Sequence, residues 1–162
     1  MSQSTRREAL VSIAGAGVAA GTLSAAEHEP KAFSEAEFKV LEQVVDMIIP
    51  DSETPGAAKA GVAMTIDEDA ATHPNLKQRV SQGLARLSSD GFAGMKAPAR
   101  TALLTDYMVA GDERREFFRL FKDLTIDHYY ATEVGLVQEL GYKGNTYLAE
   151  FPGCEHQDEE HA

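Results

Sequence analysis

From Phe38 the apolar positions run Phe38, Leu41, Val44, Val45, Ile48 and Ile49, the three- and four-residue spacing of one helix face. The stretch Phe33-Ser34-Glu35-Ala36-Glu37-Phe38 just before it predicts the helix start. Ser34 can cap, Glu37 can bond back to it, and Phe33 and Phe38 stand at the two positions of a hydrophobic staple. Pro50 stops this helix, and PDSETPGAAKAGV, with Pro50, Pro55, Gly56 and Gly61, predicts a turn-rich connection. A short helix is expected over 62–72, with Asp67, Glu68 and Asp69 as a solvated face. Pro74 and Asn75 open another, carrying Leu76, Val80, Leu84 and Leu87 on one side until Gly91 and Gly94 break it. Pro98 suits the first position of the next helix, which reaches about Val109. Asp112 caps a longer one from Glu113 to about Thr132, with Phe117, Phe118, Phe121, Leu124, Thr125, His128 and Tyr129 in its stripe. A last short element over 134–140 ends at Gly141. No window alternates with period two, and no long repeat is visible. The pattern therefore predicts an all-α protein, a small irregular bundle of five or six helices with an extended C-terminal arm.

The two ends of the chain differ from this middle. Residues 4–26 read STRREALVSIAGAGVAAGTLSAA. Arg6 and Arg7 precede an uncharged, mildly apolar run that closes in the small residues Ser24, Ala25 and Ala26. A charged start, an apolar middle and a small-residue end make up a secretory leader, and the paired arginines with the weak apolar run favour the twin-arginine route. The run is too rich in glycine for a convincing membrane span. The plainer alternative is a tail with an accidental arginine pair. The expected division is a leader over 1–26, a helical domain over 27–154 and an acidic, disordered tail over 155–162. The twin-arginine route carries folded proteins, which suits a chain that acquires a cofactor, or a partner holding one, before export.

Charge narrows the partners. Without Arg6, Arg7 and Glu8, the 15 basic and 26 acidic residues become 13 and 25, a net charge of −12. Such a domain repels phosphate backbones, so nucleic acid is not an expected partner. Export places the chain where disulfides persist. Cys154 is the one cysteine and has no partner in its own chain, so it is either a free thiol or one half of an intermolecular bridge.

Few residues point to chemistry. There is no GxGxxG after a strand, no CxxCH, no GxSxG and no HExxH. His128 with Glu133 is the best metal candidate, but positions five apart share a helix face poorly, and a half-buried, hydrogen-bonded histidine is the plainer reading. The acidic residues after Cys154 disfavour a thiolate there.

Three segments carry a resemblance: the twin-arginine start, VVDMIIPDSETPGAAKAGV, and DHYYATEVGLVQELGYKGNTYLAEFPGC. With them the chain resembles the gluconate 2-dehydrogenase subunit 3 family, the small subunits of membrane-bound, flavin-dependent sugar and alcohol dehydrogenases. Between about Met64 and Glu116 the likeness is one of general helical character. The resemblance implies a non-catalytic subunit with no cofactor of its own. It would support the folding and export of an FAD-dependent, GMC-type large subunit, with haem c in a possible membrane-bound cytochrome c subunit. It implies a periplasmic location and contact with the inner membrane only through the complex. Residues 141–153 then suit an arm draped over the partner, with Tyr142, Asn145, Tyr147, Phe151 and Cys154 as contacts and Cys154 as a candidate intermolecular disulfide. The same arm could pack on its own bundle. The competing reading is an independent exported enzyme or metal-binding protein using His128 and Glu133.

Overall fold

The computed structural model of the protein describes residues 28–144. Among the described residues there are five α-helices: α1 Glu35–Ile48, α2 Val62–Thr72, α3 Pro74–Ser89, α4 Ala97–Val109 and α5 Glu113–Tyr130. A 3-10 turn spans Phe92–Gly94 and a π-helical segment Val134–Glu139. Among the described residues there is no strand, and the fold is the expected small all-α bundle.

The local signals act as their chemistry dictates. Ser34 Oγ accepts the Glu37 N–H, and the Glu37 carboxylate accepts the Ser34 N–H at 2.9 Å, closing the capping box. Phe33 and Phe38 are both buried. The stripe behind them buries Leu41, Val44 and Val45 completely. Each such side chain contributes about 1.5–3 kcal/mol of transfer free energy. Asp112 caps α5 by accepting the Arg114 N–H at 3.0 Å. Pro98 stands second in α4, after Ala97, one place later than its fixed φ suggested.

Helix α5 is the spine of the bundle, packing against each of the other four α-helices. Its inward side holds Leu120, Phe121, Thr125 and Tyr129, while Phe117, Phe118 and Leu124 are half-buried at the flanks. Close approach to α3 depends on Gly83, where a Cβ would stand 2.8 Å from the Phe121 ring. Tyr107 of α4 is buried with its hydroxyl donating to Asp90 at 2.7 Å. Burial, helped by that carboxylate, pushes its phenol up to about 12.

The expectation of a solvated acidic face on α2 fails at its first residue. Glu68 is exposed and Asp69 half-exposed, but Asp67 is completely buried. The reason lies in the helical period. Asp67 follows Ala63 by four and precedes Ala70 by three, so it sits among the buried residues of α2.

Candidate functional site

The loop after α1 is built around a glycine that nothing else could replace. A Cβ on Gly56 would lie 2.6 Å from the Ile49 carbonyl oxygen and equally close to Pro50 and Asp51. The Gly56 N–H donates to the Asp51 carboxylate at 2.8 Å, and the Ala57 N–H to the Ile49 carbonyl at 2.9 Å. Lys59 pairs with the same carboxylate, and these contacts hold Asp51 below the usual carboxylate range. Gly61, at φ 77°, turns the chain into α2.

The far end of α5 closes on this loop. The buried Tyr129 hydroxyl donates to the Pro55 carbonyl at 2.9 Å. Past the helix end, the Thr132 hydroxyl donates to the Tyr129 carbonyl and accepts the Gly135 N–H at 3.1 Å. A Cβ on Gly135 would stand 2.3 Å from the Tyr129 carbonyl oxygen, so the π-helical segment can pack only through glycine there. Thr54 in the loop donates to Glu139 in that segment. The TPGA and YYATEVG stretches, about 70 residues apart in sequence, are thus one contiguous structure.

Beyond this locked junction, apolar side chains face outward. Val137 is 45% exposed, Leu140 60% and Tyr142 47%. Of the residues expected to touch a partner, Tyr142 is the one the structure describes, and it is available at the surface. Asn145, Tyr147, Phe151 and Cys154 lie outside the described residues, as do Arg6 and Arg7. A second apolar feature is a groove of about 350 Å³ between α1, α4 and α5, lined by Met47, Ile48, Leu104, Met108 and Phe118 with Lys122 beside them.

His128 is half-buried and hydrogen-bonded. Its Nδ1 lies 3.1 Å from the Thr65 hydroxyl and its Nε2 3.7 Å from Asp69, fastening α5 to α2. Neither nitrogen is paired with Glu133, which is exposed. Among the described residues no group of three metal-ligating side chains converges.

Sequence reasoning passed over the buried Asp67, whose carboxylate has four bonding partners. Asp67 Oδ1 accepts the N–H groups of Ala32 at 2.9 Å and Phe33 at 3.1 Å. Its Oδ2 accepts the Lys31 N–H at 2.7 Å and faces His28 Nε2 at 3.1 Å. Burial alone would raise this carboxyl, but the Lys31, Ala32, His28 and Phe33 donors outweigh it and hold it below the usual range. The apolar positions on either side of Asp67 were the available signal.

A family model described as Gluconate 2-dehydrogenase subunit 3 matches residues 35–153 of the chain. No curated protein and no solved structure matches it.

Proposed function

The chain belongs to the gluconate 2-dehydrogenase subunit 3 family, and we propose that it is the non-catalytic small subunit of a membrane-associated, FAD-dependent sugar or alcohol dehydrogenase. In this reading it supports the folding of a GMC-type flavoprotein large subunit and its export to the periplasm by the twin-arginine pathway. The flavin, and haem c where a cytochrome subunit is present, belong to the partners. The observation that carries the reading is the exposed run Val137, Leu140 and Tyr142 on a segment fastened by Thr132, Gly135 and Thr54. A rigidly held apolar surface suits a partner that covers it. The junction behind it is assembled largely from glycine fits and bonds to backbone carbonyls, which position a surface.

Cys154 fits the same reading as an intermolecular bridge. Its thiol and one on the large subunit would lose two protons and two electrons to a thiol oxidant of the exported compartment, forming one S–S bond. The test is purification of the full chain, tagged after Ala162, from periplasm and membrane. We expect a second, larger chain and a flavin absorbance spectrum with it. A small chain alone, without flavin, overturns the subunit reading. Gels run with and without reductant, beside a Cys154→Ser variant, decide the bridge separately.

A further inference from the structure

We propose that the apolar groove between α1, α4 and α5 is a docking site for an amphipathic, acidic helix of the large subunit, whose carboxylates meet Lys122 and Arg115. This rests on the chain being the small subunit of a flavoprotein complex, and it adds a second surface to the run at Val137.

The three helices meet here without closing over their apolar side chains. The recess holds about 350 Å³, with Met47 and Ile48 on one wall, Leu104 and Met108 on another and Phe118 on the third. Met108 is 47% exposed, and Val109 beside it 70%. An apolar recess of this kind suits a partner that fills it.

Its charge selects that partner. No lining residue is acidic, and the charged one is Lys122. Lys122 follows Phe118 by four and Arg115 precedes it by three, so both cations stand on the Phe118 side of α5. Both are exposed, and among the described residues neither forms an ion pair. The cleft on the other side of α5 differs: Arg79 and Arg119 share its lining with Glu116, Asp123 and Asp127, so its charges are answered within the chain. In a chain of net charge −11, cations left unanswered beside an apolar recess call for carboxylates from outside.

The walls select the form of the occupant. They are helices, whose interior N–H and C=O groups bond along their own axis. Even the lining hydroxyls of Thr101 and Thr105 donate back to the carbonyls of Ala97 and Thr101, at 3.1 and 2.8 Å. An extended segment laid here would find no backbone partner, whereas a helix satisfies its own backbone. From Arg115 to Lys122 the face is about 10 Å long, roughly two helical turns. Apolar residues three or four apart in the occupant can face Met108 and Phe118, with carboxylates on its flank reaching the cations.

The test places a photo-crosslinking phenylalanine analogue at Met108 in the full chain, tagged after Ala162 and produced with its native partners. Light should join it to the large subunit, at a segment with apolar residues three or four apart and Asp or Glu beside them. An adduct within the chain itself, to a second copy, or to a segment without carboxylates overturns the proposal. Arg115→Glu with Lys122→Glu should cut the adduct yield about tenfold, and Arg115→Lys with Lys122→Arg should preserve it. Both residues are exposed, so the reversed chain should keep the native midpoint of chemical unfolding. An undiminished yield from it overturns the charge pairing and the proposal. A large subunit that copurifies without any adduct at Met108 overturns the docking and leaves the subunit reading standing. If no large subunit accompanies any chain, the subunit reading falls first, and the proposal with it.

Discussion

Two irregular segments flank α1, and both are fastened to the bundle without forming secondary structure, by opposite means. Before α1, residues 28–33 bury Ala32 and Phe33 in the core and direct most of their polar bonds to one buried carboxylate, that of Asp67. After α1, the loop over 49–61 is held by many small, mostly uncharged contacts: the Gly56 fit, the Ala57 N–H on Ile49, the Tyr129 hydroxyl on Pro55 and the Thr54 bond to Glu139. The first arrangement concentrates dependence on one titratable residue. The second spreads it mostly over backbone and hydroxyl groups, with the exposed carboxylates of Asp51 and Glu139 at its rim. Polar bonds that share one carboxylate are lost together, whereas those of the loop can only be loosened piece by piece.

Asp67→Ala gives the largest expected effect. It leaves three backbone N–H groups without an acceptor, and rewetting as the segment lifts recovers part of the loss, so unfolding free energy should fall by about 3 kcal/mol. The pH dependence follows from the depressed carboxyl. Its stabilisation is complete above the unfolded-state value of about 3.9 and is lost as pH falls through the lower folded value. Resistance of the native chain to chemical unfolding should therefore fall on the acid side, and Asp67→Asn should flatten that limb. An acid limb identical in the two chains would show that the Asp67 carboxylate does not set it.

Gly135→Ala attacks the other arrangement where it is tightest. The new methyl must push the Tyr129 carbonyl from 2.3 Å to an ordinary contact, displacing the end of α5 from the π-helical segment. We expect a loss of about 2 kcal/mol that does not vary across the acid range. A loss that tracked pH like that of Asp67 would erase the distinction between the two segments.

What could be read from the sequence divides along the same line. Interactions a few residues apart were legible: the Ser34–Glu37 box, the Asp112 cap and the bounds of α2 came from local spacing alone. The half-buried place of His128 was legible as well, from its position in the stripe of α5, although its partner Thr65 was not. Asp67 was missed because its donors lie 34 to 39 residues away and its neighbours Glu68 and Asp69 suggested a polar face. The pairing of Tyr129 with Pro55 spans 74 residues and has no local signature. Both motifs had been singled out, but only folding shows that they form one junction, and that Tyr142 emerges beside it.

Tyr129→Phe is the smallest of these effects and the sharpest check on the comparison. It removes the hydroxyl and keeps the ring, so the T-shaped contact with Tyr130 and the ring's place in the core remain. The Pro55 carbonyl is only half-buried and can take a water instead. The cost should be about 1 kcal/mol. Its location matters more than its size. Amide exchange should quicken at Gly56 and Ala57 in the loop and stay unchanged at Lys31, Ala32 and Phe33. Asp67→Ala should give the reverse pattern, fast before α1 and slow after it. If both variants loosened both segments, α1 and its flanks would open as one unit, and the separate fastening of the two would have no consequence for the folded chain.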